Sequence, residues 1–257
     1  MDIALFTSSL GFYNHIRTSI PDSKITIITD SSNFDENLQH FDDLTNLRKF
    51  NSFKDISNHI SNMNLNTRIL SFASGYIFAS KEIARFPFPI LNFHTGSIPE
   101  NRGKTPLFWD IVEDKKNSYG TLHAVSEKID MGRILSTVKI IIRNNDTPKT
   151  LADKLLQESI NNNLFVPWLT SDPENILKIK ETTANGNYKK SFKIDTNYIA
   201  SDLTYDYLLR LWRCYKIWGK ILINGIYYDD ISSTKNTTFY LPIRTKDDKN
   251  LYFRKLI

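Results

Sequence analysis

Short apolar runs alternate with segments of helical spacing through the first 150 residues. Such runs have the length of buried strands, and the segments between them have the spacing of helices. Because strands that alternate with helices pair in parallel through right-handed crossovers, the alternation predicts an α/β fold. We expect a Rossmann-like open, mostly parallel sheet with flanking helices. The predicted strands are Ile3–Phe6, Lys24–Thr29, Arg68–Phe72, Pro89–Phe93 and Ile134–Arg143, and the predicted helices lie near Phe12–Ile20, Phe34–Phe50, Asp55–Asn62, Ser80–Arg85 and Leu107–Val112.

Two later changes of pattern divide the chain. An amphipathic helix predicted over Thr150–Leu169 closes a first domain of residues 1–170. Residues 171–200 are polar and are predicted to be a linker. A small C-terminal region of a helix and a β-hairpin or β appendage is predicted over residues 201–257. Its helix is expected to begin at Ser201 or Asp202, its hairpin to turn at Asn224-Gly225, and its last strands to cover Thr237–Ile243 and Asn250–Leu256.

Composition and motifs exclude several classes of protein. The single cysteine, Cys214, allows no internal disulfide framework and indicates a reducing compartment. The N-terminal segment has no signal-peptide pattern, and no apolar run approaches the roughly 20 residues that span a bilayer. We therefore expect a cytoplasmic protein without a membrane segment. The loop Thr7–Gly11 lacks the dinucleotide-binding glycines, and the histidines form no HExxH motif, so neither a dinucleotide cradle nor a metal site is expected.

Polar side chains that can act together lie at the end of the strand predicted at Pro89–Phe93. Asn92 and His94 are two residues apart, so they point to the same side of an extended chain. An amide can donate hydrogen bonds to a developing oxyanion, and an imidazole can carry a proton near neutral pH. The carboxylate of Asp130 can orient the imidazole or accept a proton. With no Ser or Cys in a nucleophile motif, this set favours direct acyl transfer between two bound substrates.

The amino-acid sequence of this region resembles that of the folate-dependent formyltransferase family. The matching segments are Asn92-Phe93-His94, Ser97-Ile98-Pro99 with Arg102-Gly103 and Pro106, Gly120-Thr121 with His123, and Asp130-Met131-Gly132. The resemblance covers about the first 170 residues well. It implies an enzyme with Asn92, His94 and Asp130 as its catalytic residues and with N10-formyltetrahydrofolate as its cosubstrate, without a metal. It also implies that His123 supports the site, and that Tyr76, Ile77, Phe78 and Asp130 contact the folate.

The size of the C-terminal region favours one branch of this family. A catalytic domain with a helix and a small β appendage looks most like the nucleotide-sugar N-formyltransferases. The resemblance therefore implies formyl transfer to the amine of a nucleotide-linked amino-dideoxy sugar, for example a dTDP-4-amino-4,6-dideoxy-hexose, in surface glycan or lipopolysaccharide biosynthesis. The alternatives are methionyl-tRNA or another aminoacyl or amine substrate, and hydrolysis of formyltetrahydrofolate. A protein that keeps the fold without catalysis is a further alternative, and the complete Asn92, His94 and Asp130 set disfavours it.

The charge distribution bears on the substrate. Of the net charge of +5, most lies after residue 150, where 16 Lys and Arg face 12 Asp and Glu. This excess suits an anionic diphosphate and is too small to predict nucleic-acid binding. Arg102 and Lys104 are candidate contacts for the anion, or solvated surface cations. Trp109 could stack on a base or sugar, or belong to the core.

The C-terminal strands could pair in a homodimer, or their edges could be covered within one chain.

Overall fold

The computed structural model describes residues 1–30, 46–181, 186–189, 191, 193, 195–232 and 240–256. The strands are β1 (Asp2–Thr7), β2 (Lys24–Asp30), β3 (Leu47–Phe50), β4 (Arg68–Phe72), β5 (Leu91–His94), β6 (Arg102–Gly103), β7 (Asn117–Ala124), β8 (Ile134–Ile141), β9 (Tyr188–Lys189), β10 (Asn197–Tyr198), β11 (Ile221–Ile223), β12 (Ile226–Ser232), β13 (Tyr240–Arg244) and β14 (Asn250–Lys255). The helices are α1 (Leu10–Ser19), α2 (Phe53–Ser61), α3 (Ser80–Ile83), α4 (Pro106–Val112), α5 (Pro148–Asn161), α6 (Val166–Thr170), α7 (Pro173–Leu177) and α8 (Tyr205–Tyr215).

The described residues form two compact units, each made of several segments of the chain. The first contains Met1–Arg102, Tyr119–Ile140 and Lys154–Tyr188, and the second contains Gly103–Ser118, Ile141–Asp153 and Lys189–Ile257. The proposed division at residues 170 and 200 stays a prediction. The stretch predicted as a linker contains α7 and the short strands β9 and β10.

A seven-stranded sheet, as far as the chain is described, runs in the order β3-β2-β1-β4-β5-β7-β8. Strands β1 to β5 pair in parallel, and β7 pairs antiparallel with β5. The predicted Rossmann-like open sheet with flanking helices and C-terminal strands is therefore confirmed. Because strands of a parallel sheet present their carboxyl ends at one edge, the chain after β4 and after β5 emerges on the same side, where ligands of such sheets bind.

Both sides of this sheet are covered, since successive residues of β1 such as Leu5 and Phe6 are fully buried. One cluster joins β1, β2, β4 and α2 with the loop after β4; its members are Ala4, Phe6, Ile28, Ile56, Ile60, Ile69, Tyr76, Phe78, Phe86 and Ile90. Helices α1 and α2 begin where Ser9 and Ser52 accept hydrogen bonds from the backbone N–H of Phe12 and Asp55, which satisfies one otherwise unpaired donor in each.

The second unit contains a five-stranded sheet, within the described residues, in the order β10-β11-β12-β14-β13. The predicted hairpin turns at Asn224-Gly225 between β11 and β12, and both turn residues have positive φ, 49° and 76°. That conformation suits Asn and Gly, which explains the choice of residues. Helix α8 packs beside α4, where the rings of Phe108 and Tyr215 lie 6.0 Å apart in an edge-to-face contact.

Several predicted elements differ from the structure. The helix predicted over Phe34–Phe50 is wrong at its end, because Leu47–Phe50 is a strand paired with β2; residues 31–45 lie outside the described residues. The helix predicted over Thr150–Leu169 is interrupted near Asn163, whose φ of 48° cannot continue it. Helix α8 is capped by Thr204, three residues later in the chain than Ser201. The last strands were predicted from residues 237 and 250; residues 237–239 lie outside the described part, and β13 and β14 follow.

No helix in the described part of the chain has the length and apolarity needed to cross a bilayer.

Candidate active site

Strand pairing places two of the site's side chains opposite each other. In the antiparallel pair of β5 and β7, Asn92 faces His123 and His94 faces Thr121. Side chains directly opposite on one face of such a pair have Cβ atoms about 5 Å apart. Asn92 Nδ2 accordingly lies 3.1 Å from His123 Nε2. The pairing of β5 with β7 therefore places Asn92 beside His123 without any contribution from a loop.

The loop between β7 and β8 brings in the carboxylate of Asp130. Its Oδ2 lies 3.6 Å from His94 Nδ1, and its Oδ1 lies 3.5 Å from His123 Nε2. The Asp130 side chain is only 10% exposed. Asp130 adopts a positive φ of 53°, a conformation that is uncommon outside glycine and that Asp tolerates better than most residues. One carboxylate thus lies between two imidazoles.

Gly132 allows this loop to approach the end of β7. A Cβ atom at Gly132 would lie 1.6 Å from the backbone oxygen of Ala124, which no side chain could accept. The backbone N–H of Ala124 donates to the oxygen of Arg133 at 2.9 Å, immediately before β8 begins. The glycine two residues after Asp130 is therefore required for the position of the carboxylate.

Both ring nitrogens of His94 face acceptors. Nε2 donates to the backbone oxygen of Asn101 at 2.8 Å, and Nδ1 faces Asp130. A carbonyl oxygen and a carboxylate only accept hydrogen bonds, so the surroundings favour the ring that carries protons on both nitrogens. The carbonyl of Asn101 is a backbone group, and the sequence contains no signal for its role.

His123 is held in one tautomer. Its Nδ1 lies 3.0 Å from the backbone oxygen of Ala124, so Nδ1 is the donor, and the ring is 2% exposed. In the neutral ring, Nε2 then carries a lone pair and accepts from Asn92 Nδ2. The sequence resemblance implied a supporting role for His123, and the structure places it in contact with two of the three predicted catalytic residues.

The loop from Gly96 to Arg102 is fixed at both ends. The hydroxyl of Thr121 donates to the oxygen of Gly96 at 2.7 Å. Arg102 donates from Nη2 to the oxygen of Gly186 at 2.8 Å, and its backbone N–H donates to the oxygen of Asn187 at 3.1 Å. The structure therefore uses part of the Arg102 guanidinium to hold a backbone segment, and contact of Arg102 with substrate stays a prediction.

The predicted folate loop combines buried and exposed side chains. The rings of Tyr76 and Phe78 pack on Phe6 with centroids 5.8 and 4.9 Å away, and the Tyr76 hydroxyl donates to Glu82 at 2.7 Å. Burial and the neighbouring carboxylate raise the pKa of Tyr76. Ile77 is 61% exposed. Of these three side chains, only that of Ile77 is exposed to a ligand, and contact of the three residues with folate stays a prediction.

Lys104 and Trp109 belong to the second unit, as does Lys189. Lys104 is exposed, and Trp109 is half-buried. The ammonium of Lys189 lies 5.5 Å from the centre of the Trp109 ring and forms an ion pair with Glu113. A cation over an indole face is a stabilising arrangement. Trp109 therefore has a structural partner on one face, and its contact with a base or sugar stays a prediction.

The arrangement of Asn92, His94 and Asp130 can support transfer of an acyl group. It offers an amide N–H for an oxyanion, an imidazole in surroundings that favour its charged form, and a carboxylate that can accept a proton. Within the described residues, no group of three or more His, Cys, Asp or Glu is arranged to hold a metal ion.

The sequence matches a known family over part of its length. Residues 47–166 match the family described as formyl transferase. A segment of 82 residues is 38% identical to the bifunctional polymyxin resistance protein ArnA of Wigglesworthia glossinidia brevipalpis, covering 32% of this chain and 12% of that protein. A segment of 105 residues is 32% identical to methionyl-tRNA formyltransferase of Buchnera aphidicola, covering 41% of this chain and 33% of that protein. The matches thus span a third or less of these relatives.

Solved structures share the fold over the whole chain. WlaRD, a sugar 3N-formyl transferase solved in the presence of dTDP and 5-N-formyl-THF, superposes with a TM-score of 0.71 at 18% identity, covering 100% of this chain and 98% of that one. The N-formyltransferase of Helicobacter canadensis, in complex with folinic acid and dTDP-3-aminofucose, gives 0.67 at 15% identity, covering 99% and 98%. On these findings, residues 47–166 match the formyl transferase family, and the chain has the fold of solved sugar N-formyltransferases.

Proposed function

We propose that this chain is an enzyme that transfers the formyl group of N10-formyltetrahydrofolate to the amine of a nucleotide-linked amino-dideoxy sugar. The observation that carries this proposal is the position of the Asp130 carboxylate between His94 and His123, with the Asn92 amide beside it. This group of side chains lies at the carboxyl end of β5, where ligands of open α/β sheets bind. The match of residues 47–166 to the formyl transferase family supports the same chemistry.

The reaction requires one addition and one elimination. The amine attacks the formyl carbon, and the carbonyl oxygen becomes an oxyanion that accepts a hydrogen bond from the Asn92 amide. The protonated ring of His94 supplies positive charge beside that oxyanion. Asp130 accepts the proton that the attacking amine loses, and N10 of the folate leaves with a proton. One proton is lost and one is gained, so the products are an N-formyl sugar and tetrahydrofolate.

The acceptor is assigned from the size and fold of the whole chain. The superpositions with the two sugar N-formyltransferases described above cover 99–100% of this chain and 98% of those proteins. They were solved with dTDP or a dTDP-linked amino sugar, which is the acceptor class proposed here. The excess of basic residues after position 150 would favour a substrate with a diphosphate.

A second acceptor class is favoured by the sequence comparison. Methionyl-tRNA formyltransferases are 32% identical to this chain over the matched segment. Such an acceptor would bind through its phosphates, and its affinity would fall steeply as salt is raised. The catalytic roles of Asn92, His94 and Asp130 would be the same, so only the acceptor distinguishes the two functions.

Ligand-induced thermal stabilisation tests the acceptor class. A ligand present at 100 times its Kd stabilises a protein by about 2.7 kcal/mol, which raises the Tm measurably. We expect one nucleoside diphosphate among a set with different bases to raise the Tm, and its amino sugar to be formylated in the presence of N10-formyltetrahydrofolate. Absence of any response to nucleotides, with salt-sensitive binding of aminoacylated tRNA, would contradict the sugar assignment.

A further inference from the structure

We propose that Gly186 is a positioning residue, and that the backbone of Gly186 and Asn187 holds the ring of His94 in place. The two residues lie in the stretch that the sequence predicts to be a linker, and they act through the peptide group that joins Asn101 to Arg102. The proposal rests on the formyl transfer proposed above, because that function makes His94 a catalytic residue. All of these residues belong to the first unit.

A single peptide group connects the ring of His94 with Asn187. Its carbonyl oxygen, that of Asn101, accepts from His94 Nε2 at 2.8 Å, and its N–H, that of Arg102, donates to the backbone oxygen of Asn187 at 3.1 Å. The C=O and N–H of a trans peptide group lie in one plane and point to opposite sides. A bond that fixes the N–H therefore also fixes the direction of the carbonyl. It also polarises that carbonyl, which strengthens the bond to the ring.

The side chain of Arg102 adds a second bond to the same stretch. Its Nη2 donates to the backbone oxygen of Gly186 at 2.8 Å. Within the loop, the N–H of Asn101 donates to the oxygen of Ser97 at 2.7 Å, and Asn101 is fully buried. Asn101 is thus held by a turn of its own loop on one side and by residues 186 and 187 on the other.

Gly186 allows this stretch to approach the loop. A Cβ atom at Gly186 would lie 1.6 Å from the backbone oxygen of Pro99 and 2.1 Å from its carbonyl carbon, distances that no side chain could adopt. The φ of Gly186 is not positive, so the position requires glycine for space rather than for backbone conformation. Because the atoms it meets belong to the backbone, an added Cβ would move the stretch and the loop apart.

The same stretch holds the loop that carries Asp130. Arg133, three residues later in the chain, donates from Nε to the oxygen of Leu177 at 3.3 Å and from Nη1 to Glu181 at 2.7 Å. Asp130 faces Nδ1 of His94, whereas the peptide group described above faces Nε2. Displacement of the stretch would therefore affect the partners of both ring nitrogens.

Gly186→Ala tests this role without changing a charge or removing a polar group. We expect kcat to fall by roughly 10²-fold, the loss that a displacement of about 1 Å near a catalytic group can cause. The KM for the folate should change by no more than about twofold, because His94 stabilises the transition state rather than the bound folate. The matched control is Gly11→Ala, where the added Cβ has space, and it should keep the wild-type kcat. A kcat of Gly186→Ala within about twofold of the wild type would contradict the proposal.

Hydrogen exchange measures the bridging peptide group without any turnover. In the wild type, the amide N–H of Arg102 should exchange at least about tenfold more slowly than in an unfolded chain, because it is bonded to Asn187. In Gly186→Ala this protection should be lost while the amides of β1 stay protected, which distinguishes a local displacement from loss of the fold.

Two results of the exchange experiment would overturn the proposal. One is an Arg102 amide that exchanges in the wild type as fast as in an unfolded chain, and this result does not depend on whether the variant folds. The other is a Gly186→Ala protein that loses activity while the Arg102 amide stays protected. A wild-type protein that protects this amide but transfers no formyl group would refute the proposed function, while the bond between Arg102 and Asn187 would stand.

Discussion

The carboxylate of Asp130 lies within 3.6 Å of two imidazole rings whose other hydrogen-bond partners differ. His94 faces acceptors on both sides and is favoured as a cation, whereas His123 donates to a backbone oxygen and accepts from Asn92. Each oxygen of this one carboxylate faces a ring nitrogen of a different histidine. An ionised carboxylate is the form that can accept a proton from an amine.

The two donor residues should differ in the size of their effect. We expect Asn92→Ala to lower kcat by roughly 10²–10³-fold, since one oxyanion donor is lost. His94→Asn should lower kcat by roughly 10²–10⁴-fold, since a group that carries a proton is lost. Rates under saturating folate and amino sugar measure both. A loss of only twofold in either variant would refute the assignment of that residue.

For single residues, the sequence predicts which side chains belong to the site better than it predicts their hydrogen-bond partners. Asn92, His94 and Asp130 are recognisable from their order and spacing, and the structure brings all three together. The acceptor for His94 is the backbone oxygen of Asn101, which any residue would provide. The tautomer of His123 depends on the backbone oxygen of Ala124. Groups that are common to all residues leave no pattern in a sequence, so these contacts could not be predicted.

Among the elements, the β7–β8 connection sets the position of the carboxylate. We expect Gly132→Ala to displace the loop, because its Cβ would lie 1.6 Å from the oxygen of Ala124. The variant should lose about 1–3 kcal/mol in free energy of unfolding, the range for an overpacked site, and should lose transfer activity as Asp130 moves away from both rings. Urea denaturation and the transfer assay measure the two effects.

Gly11 provides a matched control for this substitution. It lies in α1, and an added Cβ would meet its nearest atom, Leu156 Cδ2, at 4.0 Å. Alanine is favoured over glycine within a helix by up to about 1 kcal/mol. Gly11→Ala should therefore be at least as stable as the wild type. If Gly132→Ala and Gly11→Ala had the same free energy of unfolding, the predicted clash of a Cβ at Gly132 with the oxygen of Ala124 would be contradicted.

The most easily predicted strands and helices are those whose own residues carry the full pattern of apolar positions. β1, β2 and β4 were predicted within about one residue of their ends, because each is a short segment rich in apolar and β-branched residues. β3 was missed because Leu47–Phe50 is half polar and is a strand through its pairing with β2. The break near Asn163 was missed because apolar residues on both sides of it keep helical spacing. Strand pairing and backbone conformation, rather than residue composition, determine the secondary structure of these segments.

In the second unit, the buried thiol of Cys214 reports on folding. Burial raises the pKa of Cys214 to about 12, and its sulfur donates to the oxygen of Phe108 at 3.9 Å. The unfolded thiol ionises near its ordinary pKa of about 8.5. The unfolded state therefore releases a proton that the folded state keeps, and the contribution of this thiol to stability falls as the pH rises from about 8.5 toward 12.

This difference can be measured against a variant without the thiol. Between pH 8.5 and 10, the free energy of unfolding of the wild type should fall more steeply than that of Cys214→Ala, by on the order of 1 kcal/mol per pH unit. In native protein at pH 8, we expect a thiol reagent to react with Cys214 only as fast as the protein opens. Rapid reaction of the native thiol would contradict its burial.

For the molecule as a whole, the fold could be predicted and the acceptor could not. Alternating strands and helices specify an open α/β sheet, and the residues after β5 specify the chemistry. Arg102, Lys104 and Trp109 were chosen as acceptor contacts from their residue types alone. In the structure Arg102 contacts Gly186 and Trp109 contacts Lys189, and contact of either residue with a substrate stays a prediction. Charge and aromatic character are shared by surface, core and binding residues, so they do not identify a substrate.

The fate of a labelled formyl group tests the central claim most directly. N10-formyltetrahydrofolate with 13C in its formyl group would be incubated with the protein and a dTDP-linked amino sugar, and the label followed by NMR. We predict that it appears on the sugar nitrogen, and that Asp130→Asn slows this transfer by roughly 10²–10⁴-fold while still binding the folate. Label that appears as formate at the same rate with and without the sugar would contradict the account.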